Sequence, residues 1–180
     1  MGKIQGPEKV KLIVGIITCC AGTAEEAGGL LEKKFGRIDA RSAVIPFDFT
    51  NYYEKEMGGE LRRQWWSFEK HVDPESLPAV KTATNKIEEK LGVNNRRRIN
   101  IDPGYIAGSR LVLASTKDFS HRVYLSKGIY AEITLIYEKG AFKHLPWTYP
   151  DYKTEKATEF FFEARSLYLK NSKKDIRRQS

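Results

Sequence analysis

The apolar and polar positions of the chain fall into short runs of two kinds, and the change between them lays out the fold. Residues 10–19 are almost wholly apolar and β-branched, the pattern of a buried strand. Thr23 stands three residues before Glu26, a capping-box spacing, and Ala24, Ala27, Leu30, Leu31 and Phe35 then share one helical side up to Gly36. Residues 42–49 read as a second strand, so the chain is expected to open β-α-β. Residues 61–72, with Trp65, Trp66 and Phe68, fit a helix or an extended segment equally well. Asp73-Pro74-Glu75 predicts a helix start, with Asp73 as cap and Pro74 in the first turn. That helix buries Leu77, Val80, Ile87 and Leu91 and stops at Gly92.

From Arg98 onward the pattern becomes antiparallel sheet. Strands are expected at residues 98–102 and 111–116, with Pro103-Gly104 as a turn, and a short strand near 142–145. Residues 121–125 and 129–137 form a hairpin. A three-residue loop, Ser126-Lys127-Gly128, sets Val123 opposite Ala131, Tyr124 opposite Tyr130, Leu125 opposite Ile129 and Arg122 opposite Glu132. Val123, Leu125, Ile129, Ala131, Ile133 and Leu135 then make a buried face, and Arg122, Tyr124, Tyr130, Glu132 and Thr134 a polar one. A last helix over residues 154–169 carries Ala157, Phe160, Phe161, Ala164, Leu167 and Tyr168 at helical spacing, so it packs on the sheet. The expected fold is α+β: an N-terminal β-α-β unit and an antiparallel C-terminal meander forming one sheet, with packed helices. Residues 1–170 read as one domain and 171–180 as a basic, disordered tail.

Composition narrows the partners. The chain has 180 residues, 41% of them hydrophobic and 30% charged, enough for one core. No apolar run reaches the ~18 residues of a membrane span, and no signal-peptide pattern leads the chain, so a cytosolic, non-membrane protein is expected. Cys19 and Cys20 are neighbours on a strand, which disfavours a disulfide between them, and they lack CxxC spacing. The net charge of +8 suggests nucleic acid, yet half of it sits in residues 170–180 and three more charges are Arg96, Arg97 and Arg98. The P-loop, the dinucleotide fingerprint and the nucleophile elbow are all absent from the sequence.

Five phrases stand out: Asn51-Tyr52-Tyr53-Glu54-Lys55-Glu56-Met57-Gly58, Asn100-Ile101-Asp102-Pro103-Gly104-Tyr105, Thr116-Lys117-Asp118 with His121-Arg122, Gly128-Ile129-Tyr130-Ala131-Glu132, and Trp147-Thr148-Tyr149-Pro150-Asp151-Tyr152. Together they resemble, over nearly the whole chain, the prokaryotic family filed as domain of unknown function 4416. The resemblance implies a small bacterial or archaeal protein and brings no catalytic assignment.

The candidate chemistry follows position. Glu132, His121 and Asp102, at strand ends, are candidates for metal binding or proton transfer. Lys117 and Arg122 are candidates to hold a phosphate or carboxylate, with Asp118, Tyr130, Trp147 and Asp151 beside them, and Arg62 and Arg63 are further charges that could contribute. Lys81, Asn85 and Glu88 share one side of the second clear helix and offer a cation, an amide and a carboxylate; as a plain boundary stripe they would simply be solvated. Glu54 and Glu56, two apart on an extended segment, face the same way and are candidates to hold a divalent cation such as Mg²⁺ or Mn²⁺. The leading expectation is a protein that binds, or acts on, a small anionic ligand in a polar cleft. The alternative is an RNA- or protein-binding module using the tail and Arg96, Arg97 and Arg98. A third is a subunit whose sheet edge pairs with a copy of itself.

Overall fold

A computed structural model describes residues 2–179, with side chains described for residues 2–171. The strands are β1 (Val10–Thr18), β2 (Ile38–Arg41), β3 (Ile45–Pro46), β4 (Arg62–Val72), β5 (Asn100–Ile106), β6 (Arg110–Ser115), β7 (Val123–Ser126), β8 (Ile129–Glu138) and β9 (Ala141–His144). The helices are α1 (Ala21–Phe35), α2 (Glu54–Met57), α3 (Leu77–Leu91) and α4 (Glu155–Gln179). All strands join one antiparallel sheet in the order β2-β4-β1-β5-β6-β8-β7, with β3 on β4 and β9 on β8. The fold is α+β, as the patterning predicts.

The opening β-α-β is a split one. β1 and β2 both run antiparallel to β4, so they are parallel to each other with β4 between them. The run β1-α1-β2-β4-α3-β5 in the order β2-β4-β1-β5 is the split plan of ferredoxin-like domains. The second strand comes earlier than expected. β2 ends at Arg41, and Ser42 stays bonded to β4, its N–H donating to the Trp65 carbonyl at 2.8 Å and its hydroxyl accepting the Trp65 N–H at 3.0 Å. Residues 61–72 supply the central strand β4. Trp65 enters the layer beneath α4 while Trp66 and Phe68 enter the opposite one, so both faces are apolar and no single period stands out.

Helices cover both faces. α1 and α3 pack Ala27, Leu31, Val80, Ile87 and Leu91 on Leu12, Val14, Ile16, Trp66 and Phe68. α4 packs Ala157, Phe160, Phe161 and Ala164 on Ile13, Trp65, Leu111, Leu135 and Phe142. Each such large apolar side chain contributes roughly 1.5–3 kcal/mol by leaving water. Lys11 is a buried exception within β1, its ammonium 2.6 Å from Asp39 Oδ2 and 2.9 Å from the Phe68 carbonyl. Among the described residues no helix is long and apolar enough to cross a membrane. From residue 172 on, the side chains of the expected basic tail lie outside the described residues.

Four local expectations are corrected. Thr23 does not cap α1: the helix begins at Ala21 with Cys20 at the cap position, and Thr23 is buried in the first turn. The Asp73 side chain caps nothing; its backbone carbonyl accepts the Ser76 N–H as the chain enters α3 through a 3-10 turn. Pro103-Gly104 is no turn but lies inside β5, opposite Val14 and Ile13. The hairpin turn has two residues, Lys127 and Gly128, at φ 53° and 73°, and a bulge near Leu125 brings Ser126 opposite Ile129. That bulge leaves the expected Val123–Ala131 and Tyr124–Tyr130 pairs intact.

The division of the hairpin into faces fails for a related reason. A second bulge sets Leu111 opposite Leu135 but Val112 opposite Ile133, so Thr134 is extra and the alternation of β8 inverts there. Glu132 is consequently buried with Leu135, and Thr134 is buried as well. Ile133 is 42% exposed, and Val123, on edge strand β7, is 68% exposed.

Candidate functional site

A cleft opens where β5 and β6 part. The two strands pair only through Gly104, Tyr105 and Ile106 opposite Leu113, Val112 and Leu111. Pro103 has no N–H to carry the ladder further. Beyond it lies a cavity of about 630 Å³. Ile101 comes next on the same backbone edge, where a partner strand would have paired. α3 supplies substitutes: the Glu88 carboxylate accepts the Ile101 N–H at 2.6 Å, and the Lys81 ammonium donates to the Ile101 carbonyl at 3.0 Å. Lys81 and Glu88 are therefore buried braces rather than a solvated stripe. Asn85, between them on the helix, lines the cavity half-buried, and its side chain makes no hydrogen bond among the described residues.

Arg63 of β4 forms the floor. Gly15 in β1 lacks the side chain that would block it: a Cβ there would meet the Arg63 guanidinium and the Tyr152 hydroxyl at 3.0 Å. Arg63 Nε stands 2.8 Å from Asp151 Oδ2, and Nη1 stands 3.4 Å from Asp102 Oδ2. Its guanidinium lies 5.1 Å from both the Trp65 and Tyr152 rings. Asp102 Oδ2 also accepts from Asn100 Nδ2 at 2.7 Å, while Oδ1 has Lys81 Nζ at 3.6 Å. Burial pushes the Asp151 carboxyl above its usual range, against the pull of Arg63. Burial likewise pushes Glu88 up to about 7, against Lys81, the Ile101 N–H and Arg97. Arg97 is clamped by Glu56 through bonds of 2.9 and 2.6 Å, which hold the Glu56 carboxyl below its ordinary range.

The facing wall is built on Glu132. Its Oε2 accepts from Arg122 Nε at 2.8 Å and lies 3.2 Å from His121 Nε2, and its Oε1 accepts from Thr134 at 3.2 Å. Arg122 also donates to the Lys117 carbonyl at 2.9 Å and the Tyr149 hydroxyl at 2.7 Å. Burial, then the nearby Glu132 charge, push the Tyr149 phenol up to about 12. At the mouth, Lys117 Nζ donates to the Tyr52 hydroxyl at 3.1 Å and stands 4.3 Å from the centre of that ring. Among the described residues Lys117 is the one cleft cation with no carboxylate at ion-pair distance; Arg63, Lys81, Arg97 and Arg122 each have one.

Of the residues singled out from sequence, Glu132, Asp102, Lys117, Arg122, Lys81, Asn85, Glu88 and Asp151 all line this cavity. His121, Asp118, Tyr130, Trp147, Glu54 and Glu56 are not part of its lining. His121 meets Glu132 while stacked on Trp147 at 4.9 Å, and Tyr130 packs on Tyr124. Glu54 and Glu56 fall on helix α2, not on an extended segment, so they do not face the same way. Among the described residues no three His, Cys, Asp or Glu side chains meet in a group fit for a metal ion. Arg97, Asn100 and Tyr152 carry no spacing signal, and Arg97 hides within a run that reads as surface charge. Two signals did exist: Gly15 inside an apolar strand marks a close approach, and Arg63 interrupts an aromatic strand.

The fold and site together define an α+β, single-sheet protein with a polar cleft where two strands part. The chain belongs to the family described as Domain of unknown function (DUF4416), whose model matches residues 8–168. No curated protein and no solved structure matches it.

Proposed function

We propose that the chain binds a small molecule bearing a phosphate or carboxylate group in the β5–β6 cleft, with that group on the Lys117 ammonium. The carrying observation is that Lys117 alone among the cleft cations lacks a carboxylate partner and has a phenol in its place. Lys117 is exposed at the mouth, so a charge-assisted bond to an anion there contributes about 1.5–3 kcal/mol net, and filling the cavity supplies the rest. The RNA- or protein-binding alternative is weakened because Arg97 turns inward to Glu56 and leaves the expected basic patch. The test is calorimetric titration with phosphates, carboxylates and their neutral isosteres. The anions bind, the isosteres do not, and Lys117→Met weakens binding at least tenfold; neutral isosteres binding as tightly as the anions would refute the reading.

A further inference from the structure

We propose that the ligand is a polyol carrying the anionic group, with its hydroxyls taken by Asp102 Oδ1 and the Asn85 amide. This rests on the anion reading above and names the other end of the same ligand. Asp102 spends Oδ2 on Asn100 and Arg63 but keeps Oδ1 beyond hydrogen-bond distance of Lys81, at 3.6 Å, and its side chain is 27% exposed. Asn85 brings an unused donor and acceptor to the same cavity. A carboxylate oxygen and a free amide are what vicinal hydroxyls need, since each hydroxyl both donates and accepts.

Charge selects hydroxyl over amine. Two cations, Arg63 and Lys81, already stand 3.4 and 3.6 Å from the Asp102 carboxylate. A ligand ammonium on Oδ1 would lie beside the Lys81 ammonium, which already stands 3.6 Å from that same oxygen, whereas a neutral hydroxyl meets no such repulsion. The aromatic residues Phe47 and Tyr53 line the same cavity and give the carbon skeleton an apolar wall.

The test is calorimetry of the full chain with inorganic phosphate, n-butyl phosphate, phosphoethanolamine, ribose 5-phosphate and glucose 6-phosphate. Hexanoate and gluconate provide the carboxylate arm. The polyol anions are expected to bind about tenfold or more tighter than the alkyl anion of the same head group, with phosphoethanolamine weakest of the substituted phosphates. Asn85→Ala loses no hydrogen bond made within the chain, so it folds, and it brings the polyol-to-alkyl affinity ratio toward one. Asp102→Asn lowers the same ratio. Equal binding of alkyl and polyol anions, or tightest binding of phosphoethanolamine, overturns this inference and leaves the anion reading standing. No binding by any of these anions overturns both.

Discussion

Replacing Glu88 with Gln is expected to stabilise the protein at alkaline pH, although Glu88 makes a short bond in the core. The Gln carbonyl still accepts the Ile101 N–H that Glu88 accepts at 2.6 Å. What changes is the cost of charge. Burial moves the carboxyl from an ordinary 4.5 to about 7, so the folded state prefers it protonated while the unfolded chain ionises it freely. Its contribution to stability is thus full below pH 4.5 and is lost as pH rises through about 7. At about 1.4 kcal/mol for each pH unit, the loss reaches about 3 kcal/mol by pH 8. Gln carries no such loss. Urea denaturation of both proteins from pH 4.5 to 8.5 should show curves that nearly coincide in acid and diverge by about 3 kcal/mol at pH 8, roughly 6–12 °C in Tm. Burial also raises the Asp151 carboxyl, but it does so in both proteins and so drops out of the difference. A Glu88→Gln protein that is less stable at pH 8 would refute it, since the ionised carboxylate would then be a net brace through Lys81 and Arg97.

Three further outcomes are expected. Arg63→Met strands the buried Asp151 carboxylate without its 2.8 Å partner and costs about 3–5 kcal/mol in chemical denaturation. Adding Asp151→Asn should restore much of that loss, and additive losses would contradict the pairing. Gly104→Ala drives a methyl into the Val112 carbonyl and Leu113 and should cost about 2 kcal/mol or more, whereas Gly29→Ala, exposed in α1 with nothing nearby, should gain about 0.5–1 kcal/mol; equal thermal shifts would be inconsistent with the β5–β6 contact. Cys20 should alkylate with iodoacetamide at a rate half-maximal near pH 7, read by mass spectrometry. The Thr23 hydroxyl, the Thr23 and Gly22 N–H groups of α1 and the nearby Arg98 bring its thiol down to about 7, and a midpoint above 8.5 would contradict this.

Much of the architecture was legible because most elements bury one face and so carry a clean period. α3 and α4 bury the positions their spacing picks out, and the middle of the β7–β8 hairpin has the expected pairs. Where an element is buried on both faces the period vanishes, which is why β4 with Trp65, Trp66 and Phe68 looked equally like a helix. Pro103-Gly104 misleads for a different reason. The dipeptide is a common turn signal, but here proline ends a ladder and glycine permits close approach within one strand. Bulges are also silent in a binary pattern, and the one at Thr134 breaks the expected division of β8 into an apolar and a polar face, so that Glu132 and Thr134 are buried while Ile133 is exposed. Five cleft residues, Asp102, Lys117, Arg122, Glu132 and Asp151, were legible from their polar company at strand ends, and Lys81, Asn85 and Glu88 from their spacing along α3. Arg63 was legible as a charge but not as the buried partner of Asp151 and Asp102, and Arg97 not at all, because their partners lie far along the chain: Arg97 is 41 residues from Glu56.

The short ladder between β5 and β6 also makes the sheet two leaves on one spine. α4 lies across that spine on the face away from Lys81 and Glu88. Ile13 and Trp65 of one leaf and Leu111, Leu135 and Phe142 of the other share a single apolar layer beneath Phe160, Phe161 and Ala164. The gape of the cleft is therefore set from behind, by how thick that layer is. A larger side chain at Ala164 wedges the leaves and changes the span from Lys117 to Asp102 without touching any ligand. If the cleft holds a ligand as proposed, its selectivity for ligand length is open to substitutions in α4, a helix that contributes no residue to the cavity lining.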